Sequence, residues 1–368
     1  MKLIKKVLSF RGWGRLMRVY GKSLVVYGTP RKFVNAVRTE IAYRTRRVDV
    51  TTPPYLIFIE PLYYCNLSCP LCQRQTFDDP RHEDAGKLPP GTYDKILDEI
   101  GDYLYQCHIF GLGEPLLDWP LTKQIIEKAH HKRIFTLVST NCTLITPKIA
   151  REIVSCGLDH LVCAIDGVSQ EAYEKYRVGG KVEKCFAGMR MLVDEKKKQK
   201  SGITIEWQYL VNRFSAPEMD QARALAKEIG VYLRFAPMGG MEWNEELQNY
   251  WLPQTKGYQD SKLDAGAIKN PWHCFWLWRG VVVNSNGQLA RCPGYQNVAM
   301  MGNLAENKVM DIYDGPVSRR ARQLFTKGPV EEGPFPAPCN TCSYYVREHG
   351  GPRLDKRNSA ATPQLTPV

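Results

Sequence analysis

The pattern of apolar and polar residues defines a long region in which strand-like and helix-like segments alternate. From Tyr55 onward, short apolar runs alternate with segments whose apolar residues recur every three or four positions, which is the spacing of a helix face. The predicted strands are Tyr55–Glu60, Gln106–Phe110, Ile134–Ser139, His160–Ile165, Ile203–Val211 and Val231–Phe235. The predicted helices are Tyr93–Ile100, Lys123–His131, Pro147–Cys156, Val182–Lys200 and a last one that Ser215–Glu218 opens as a capping box and that ends near Gly230. This order predicts a parallel α/β array, which a partial or complete (β/α) barrel and an open doubly wound sheet both satisfy.

A basic and apolar segment precedes this array. In residues 1–28, apolar side chains recur at helical spacing and most basic side chains fall on the opposite side. Thr29 and Pro30 suit the N-cap and the first turn of a second helix. The apolar stripe of that helix consists of Phe33, Val37 and Ile41. The prolines within 51–54 cannot continue a helix, so residues 1–52 are predicted to form an N-terminal extension.

The remaining boundaries are set by changes in the same pattern. Residues 53–240 contain the whole array, and residues 241–271 lose the alternation and are predicted to connect it to a cysteine-rich region. Short strands, turns and cysteines fill that region, residues 272–345. Residues 346–368 are polar and contain proline, and they are predicted to be a disordered tail.

Charge is distributed very unevenly along the chain. The net charge is +12, and the first 48 residues, with thirteen basic side chains and one acid, account for all of it. A neutral body argues against a nucleic-acid groove spread over the fold, so no nucleic-acid partner is expected. No apolar run is long enough for a membrane-spanning helix. In a secretory signal peptide an apolar core follows the first charged residues, and this chain has no such core. These observations predict a cytoplasmic protein.

Three of the twelve cysteines lie close together directly after the first predicted strand. Cys65, Cys69 and Cys72 have C-x3-C-x2-C spacing, and in a chain without an export signal such a group indicates metal or redox chemistry. A structural zinc needs four ligands, and His82 is the one further candidate nearby. Three thiolates suit an iron–sulfur cluster that leaves one iron free for a substrate.

This cysteine spacing is the cluster motif of the radical S-adenosylmethionine (radical SAM) superfamily, which residues 54–236 resemble. The sequence FGLGEP at 110–115 resembles the Gly-Gly-Glu-Pro-like turn that binds the SAM amino group, with Leu112 in place of the first glycine. Ser139-Thr140-Asn141 resembles the family's Thr-Asn-Gly, with Cys142 in place of the glycine, and Ala164 stands where relatives often have serine. The SAM-contacting residues that this resemblance implies are Leu71, Gly111, Gly113, Glu114, Pro115, Ser139, Asn141, Asp166 and Arg177.

The resemblance also implies a fold and a chemistry. The expected fold is a partial (β/α)6 TIM-like barrel, whose active site assembles at the C-terminal ends of the strands. A [4Fe-4S] cluster on the three cysteines would bind SAM and, once reduced by a donor such as flavodoxin or ferredoxin, cleave it to methionine and a 5′-deoxyadenosyl radical. That radical would abstract a hydrogen atom from the substrate.

A second group of cysteines lies near the end of the chain. Cys274, Cys292, Cys339 and Cys342 provide four soft ligands, which by themselves could hold zinc or a cubane cluster. Their arrangement resembles the SPASM/Twitch extension of radical SAM enzymes in its four-cysteine form, because the later cysteines of a full SPASM domain are missing. The resemblance therefore implies a small C-terminal Cys-rich domain with one auxiliary [4Fe-4S] cluster.

Several functions remain open at the level of sequence. The leading hypothesis is the oxidation or epimerisation of a sugar, polyol or lipid-linked substrate, and the alternative is the maturation of a ribosomally made peptide or protein. Residues 1–50 are too short and too basic for a leader-binding winged-helix domain, which disfavours the alternative. The one weak candidate for a catalytic residue is Cys142, as a hydrogen-atom donor. A non-enzymatic zinc scaffold is a third class.

The basic N-terminal segment also suggests a cellular location. Basic amphipathic segments that carry Trp and Phe bind anionic membranes, so residues 1–48 are one candidate for peripheral contact with the inner membrane face. The alternatives are that these residues pack on the barrel with their charges solvated, or that they dock a partner or a nucleic acid.

Overall fold

The computed structural model describes residues 21–76, 86–239, 245–259, 274–295 and 300–327, together with Cys339 and Cys342. The strands are β1 (Leu56–Ile59), β2 (Gln106–Ile109), β3 (Phe135–Thr140), β4 (His160–Ala164), β5 (Thr204–Val211), β6 (Tyr232–Pro237), β7 (Gly280–Val283), β8 (Gln288–Ala290) and β9 (Met300–Asn303). The first helices are α1 (Lys22–Val26), α2 (Pro30–Arg44), α3 (Gln73–Thr76), α4 (Thr92–Ile100), α5 (Trp119–His131) and α6 (Pro147–Ser155). The later ones are α7 (Gln170–Tyr176), α8 (Val182–Lys198), α9 (Met219–Ile229), α10 (Glu245–Trp251), α11 (Trp276–Arg279), α12 (Val309–Tyr313) and α13 (Pro316–Lys327). Residues 1–20 of the helical segment predicted over residues 1–28 lie outside the described residues, and so does the predicted tail.

One sheet contains every described strand, in the order β6-β5-β4-β3-β2-β1-β7-β8-β9. Strands β1 to β6 are parallel and adjacent in chain order, and β7 pairs in parallel with the free edge of β1. Strands β8 and β9 then add as antiparallel neighbours. The cysteine-rich region therefore continues the main sheet through β7.

The helices that connect these strands cover one face of the sheet. Ile57, Cys107, Val138, Leu161 and Trp207 belong to a core that also contains apolar residues of α4, α5, α6, α8 and α9. Side chains at the alternate positions of the strands point the other way, where Phe58, Phe135 and Val162 form separate small clusters. A doubly wound sheet would carry helices on both faces, so the predicted partial (β/α)6 barrel is the correct choice between the two folds.

The sequence located the six barrel strands to within two residues at each end. It placed the start of α5 too late, because Asp118 caps the helix by accepting from Leu121 N and Pro120 occupies its first turn. It missed α7, a single short helix that Ser169 caps. Gly157 has φ +86° just beyond α6, as expected for a helix stop.

The predicted capping box at Ser215–Glu218 was wrong. Ser215 makes no side-chain cap; its hydroxyl donates to Leu210 O and accepts from Asn212 N. The Glu218 carboxylate accepts instead from Val168 N at 2.6 Å and from Ser169 N, in the loop after β4. A long-range contact thus replaces the local one, and it fixes the loop that leads to α7.

Replacing Glu218 with alanine is expected to destabilise the fold, because it leaves Val168 N without its charged acceptor. Hydrogen bonds to charged groups contribute about 1.5–3 kcal/mol, so the free energy of unfolding should fall by about 1.5 kcal/mol in a urea titration. Glu228→Ala is the matched control, because Glu228 forms an exposed ion pair with Arg190 that contributes little. Equal losses in both variants would contradict the assigned contact.

Helix α2 packs with its polar side toward the protein. Lys32, Asn35 and Thr39 are buried, and the Lys32 ammonium donates to the carbonyl of Arg133 at the end of α5. The predicted apolar stripe of Phe33, Val37 and Ile41 is exposed. Residues 21–48 nevertheless belong to the folded body, since Tyr27 is buried and donates to Asp159 at 2.7 Å.

Candidate active site

The loop that carries the first three cysteines leaves β1 at its C-terminal end. Nitrogen donors surround its sulfurs: Leu67 N is 3.5 Å from Cys65 Sγ, and Arg177 Nη1 is 3.8 Å from Cys69 Sγ. Burial raises the pKa of Cys65 to about 11 and also raises the pKa values of Cys69 and Cys72. Thiols in this state keep their protons at neutral pH until a metal displaces them.

A buried ion pair faces this loop from the ends of β4 and α7. Arg177 Nε donates to Asp166 Oδ2 at 2.6 Å, and Asp166 Oδ1 accepts from Leu210 N at 2.7 Å on the neighbouring strand. Burial raises the pKa of Asp166, and the Arg177 charge opposes that rise. The pair holds a guanidinium beside Cys69 with its orientation fixed, although α7 itself was not foreseen from sequence.

The FGLGEP turn lies against the cluster loop with very little space. A Cβ placed on Gly113 would lie 2.0 Å from the backbone oxygen of Leu62 and 2.8 Å from that of Tyr64. Gly111 is equally restricted, because the side chain of Glu60 fills the position of its Cβ. Only glycine allows this approach of backbone to backbone.

Glu114 is occupied by contacts within the protein. Its carboxylate accepts from Thr140 Oγ1 at 2.7 Å, Asn141 N at 2.8 Å and Leu116 N at 3.1 Å. Burial raises its pKa, and these donors act against the rise. The side chain of Glu114 therefore joins the turn after β2 to the end of β3, and Pro115 is buried beside it in the next short turn.

Asn141 connects the end of β3 to the cluster loop. Its amide nitrogen donates to Asn66 Oδ1 at 2.9 Å and lies 4.0 Å from Cys65 Sγ. Ser139 has a partly exposed side chain on the barrel-interior face of β3. Leu71 packs with the cluster cysteines, Tyr176 and Trp251 in an apolar group over which α10 lies. All of the predicted SAM-contacting residues thus lie at one end of the barrel.

Cys142 lies outside this group. It has φ +64°, the left-handed conformation that suits the glycine of related sequences, and its side chain is fully buried. Its sulfur lies in the core near Cys163 and Cys185, and burial raises its pKa well above the usual value. This position argues against the expected role as a hydrogen-atom donor.

Glu60 is a site residue that the sequence did not reveal. It is fully buried at the end of β1, where Oε1 accepts from Leu112 N at 2.6 Å and Oε2 accepts from Ser285 N at 3.1 Å. One carboxylate thus joins the FGLGEP turn to the turn after β7. The signal available in the sequence was a glutamate at the end of an apolar strand. Its role could not be predicted from that signal, because its two hydrogen-bond partners lie 52 and 225 residues away in the chain.

The four C-terminal cysteines are brought together from separate segments. Cys274 precedes α11, Cys292 comes just after β8, and Cys339 and Cys342 come from much later in the chain. Burial raises the pKa of Cys274 well above its usual value, and the nearby Cys342, Cys292 and Cys339 thiols add to that rise. The predicted ligand set therefore lies close together in space.

Both cysteine groups supply thiolates, the ligands that hold iron–sulfur clusters. Among the described residues, which include all seven cysteines, no three Cys, His, Asp or Glu side chains converge closely enough to hold one metal ion. A zinc ion needs its sulfurs about 2.3 Å from one centre, whereas a cubane binds each thiolate through a different iron.

Comparisons with known proteins agree with this site. Residues 59–205 match the profile of the radical SAM superfamily, and residues 274–343 match that of the SPASM iron–sulfur cluster-binding domain. An AdoMet-dependent heme synthase of Methanosarcina barkeri is 28% identical to this chain, in an alignment that covers 50% of this chain and 50% of the relative. A probable GTP 3′,8-cyclase of Methanococcus maripaludis is 30% identical, in an alignment that covers 35% of this chain and 42% of the relative. The chain spans about half the length of these curated relatives.

The fold agrees as well. The crystal structure of SuiB from Streptococcus suis bound to S-adenosylmethionine superposes with a TM-score of 0.56 at 14% identity, over 79% of this chain and 72% of that one. The two profile matches together span more than half of the 368 residues. The chain belongs to the radical SAM superfamily, as an enzyme with a SAM-binding [4Fe-4S] cluster and a SPASM auxiliary-cluster domain.

Proposed function

We propose that this enzyme abstracts hydrogen from a sugar, polyol or lipid-linked substrate, and that the auxiliary cluster assists oxidation of the substrate radical or its epimerisation. The observation that carries the proposal is a set of polar side chains on the inward face of strands β2 and β5. Gln106 and His108 on β2 face inward, and so do Glu206 and Gln208 on β5. Hydroxyl-rich substrates need such donors and acceptors within a confined space.

These inward polar groups are already ordered. Arg234 donates to both Glu206 and Gln208, and His160 Nε2 lies 3.2 Å from Glu206 Oε2. His108 stacks on Phe110 and bonds to Gln106 at 3.0 Å. A fixed row of charges and amides on strands β4 to β6 can orient a polar substrate at little entropic cost.

Around the cofactors the protein has to bind, orient and exclude water. The cluster with bound SAM supplies the hydrogen-abstracting radical. Arg177, held by Asp166, can pair with the SAM carboxylate, and Gly113 allows the FGLGEP turn to approach the backbone that enters the cluster loop. Leu71, Tyr176 and Trp251 enclose the cysteines with apolar surface that keeps out solvent.

Product analysis tests the proposal. Anaerobically reconstituted protein is incubated with SAM, dithionite and sets of polyols, sugars or lipid-linked sugars, and 5′-deoxyadenosine and oxidised or inverted products are quantified. We expect deoxyadenosine to increase with one of these classes and a product of unchanged carbon skeleton to appear. An increase with peptides alone would replace the proposal with peptide maturation, for which the fold shared with SuiB, also solved with its precursor peptide SuiA, is the favouring observation.

We also propose that the enzyme contacts an anionic membrane surface through residues 1–48. The outward face of α2 supports this proposal. Its exposed apolar side chains, together with those of α1, are Leu24, Val25, Val26, Phe33, Val34, Val37 and Ile41. Among the described residues no helix has the length and apolar character needed to cross a bilayer.

Charge complements this apolar face. A surface groove of about 750 Å³ runs beside α2 and is lined by Arg31, Arg38 and Arg47 together with Val34 and Ile41. Arg31 pairs with Asp102, whereas no ion pair involves the exposed Arg38 and Arg47 within the described chain. Each basic side chain near an anionic bilayer contributes about 1 kcal/mol, and the neighbouring apolar groups add insertion energy.

Vesicle sedimentation tests membrane contact. Binding to phosphatidylglycerol vesicles is expected to fall at least tenfold in the triple variant Phe33→Ser, Val37→Ser, Ile41→Ser and in Arg38→Glu, Arg47→Glu. The matched control is Leu117→Ser with Val178→Ser, two exposed apolar residues elsewhere on the surface. Point variants are needed because deleting residues 1–48 would also remove buried Tyr27 and Tyr43. Equal binding by both sets, or equal binding to phosphatidylcholine, would refute the contact.

A further inference from the structure

Arg291 is a buried arginine without a hydrogen-bond partner. It lies directly between β8 and Cys292, and its exposure is only 2%. None of its three guanidinium nitrogens has a hydrogen-bond partner, and no ion pair to it occurs among the described residues. A guanidinium remains charged at every physiological pH, so an isolated buried charge of this kind is strongly unfavourable.

A second buried arginine of this region, Arg322, shows how the fold satisfies the hydrogen-bonding groups of a buried guanidinium. Arg322 is fully buried, and its nitrogens donate to Asp314 Oδ1 and to the carbonyls of Leu277, Val48 and Tyr313. Each of its nitrogens is thus satisfied. The guanidinium of Arg291 has an equal need for an anion and finds none among the described side chains.

The surroundings of Arg291 indicate where that anion belongs. Cys292 is its neighbour in the chain, and its guanidinium is close enough to Cys339 for its charge to act on that thiol. Leu289, two residues earlier, belongs to the core against which Cys274, Cys339 and Cys342 pack. Arg291 therefore lies beside the four-thiol group of the auxiliary site.

We propose that Arg291 is the counter-charge of the auxiliary iron–sulfur cluster and raises its reduction potential. The proposal rests on the auxiliary cluster, which the SPASM match supports, and it deepens the proposed role of that cluster as electron acceptor. A cubane held by four thiolates carries net negative charge, and uptake of one electron increases that charge by one. A fixed buried cation stabilises the reduced form more than the oxidised form, which favours electron transfer from a substrate radical to the cluster. Arg291 is a positioning residue in this role, since it acts through the cluster.

Redox titration monitored by EPR tests the proposal directly. The full-length chain with Cys65, Cys69 and Cys72 changed to alanine retains the auxiliary site alone, so its signal is unambiguous. In this background Arg291→Gln is expected to shift the midpoint potential to more negative values, with Arg291→Lys between Gln and the parent. An unchanged midpoint potential in Arg291→Gln at full iron content would overturn the proposal. Assembly of the cluster with lysine but not with glutamine would support it.

Stability of the metal-free protein gives a second readout, which decides the case if neither variant assembles its cluster. Without the cluster Arg291 is a lone buried charge, so Arg291→Met is expected to raise the Tm of chelator-stripped protein. Arg322→Met is the matched control and should lower the Tm, because its partners would lose their donors. A lower Tm in stripped Arg291→Met would indicate an ordinary structural arginine and overturn the proposal. Neither measurement requires turnover, so a failure of the proposed reaction remains distinguishable from a failure of this inference.

Discussion

Replacing Cys65, Cys69 and Cys72 with alanine is expected to abolish formation of 5′-deoxyadenosine. All three sulfurs lie in one loop at the C-terminal end of β1, in an apolar group that contains no other described cysteine. Iron should fall from about eight to about four atoms per chain, since each cubane holds four. The measurements are chromatography of the nucleoside and iron analysis after anaerobic reconstitution.

Cys107→Ala is the control for this experiment. Cys107 is a fully buried cysteine of β2, on the face of the sheet that the helices cover, so its loss should leave both iron content and SAM cleavage in place. Deoxyadenosine production by the triple variant would contradict the assignment of the loop as the SAM-cleaving site. A colourless parent protein that binds zinc would contradict it too.

Gly113→Ala is expected to reduce SAM cleavage by about 100-fold, because its Cβ would overlap the carbonyl oxygens of Leu62 and Tyr64. These atoms belong to the chain that enters the cluster loop, so the turn and the loop must move apart. A misplacement of about 1 Å in a catalytic geometry costs about 100-fold in rate. Both the rate of deoxyadenosine release and the affinity for SAM, measured by equilibrium dialysis, should show the loss.

Gly202→Ala provides the comparison, because no atom lies within 4 Å of the Cβ it would add and its φ is not positive. That variant is expected to match the parent in rate and in affinity. If Gly113→Ala kept full affinity and rate, the close approach of the turn to the cluster loop would have no functional importance.

The sequence predicted the parts of the structure that depend on local pattern. The barrel strands, the stop at Gly157 and the cap at Thr29 are all signals within a few residues. The assignment of Cys65, Cys69 and Cys72 as cluster ligands, which stays a prediction, also rests on a local signal, because all three lie in one loop.

Errors arose where a distant partner determined the outcome. Glu218 has the spacing of a capping box, but it bonds to the loop after β4, where Val168 N and Ser169 N offer two donors instead of one. Helix α2 shows an apolar stripe that normally faces a core, and here the buried Lys32 binds carbonyl groups at the end of α5 while the stripe remains outside. Periodicity identifies a face of a helix, and the partner decides which face is covered.

The hydrogen bonds of Glu60 bear on electron transfer between the two cysteine sites. Strand β1 leads into the SAM-cluster loop, its hydrogen-bonded neighbour β7 leads toward the auxiliary cysteines, and the Glu60 carboxylate connects the turns after both strands. Because β1 and β7 pair in one sheet, we expect the two cysteine sites to keep a constant separation. Differences in electron-transfer rate between variants should then report driving force, without a contribution from domain opening.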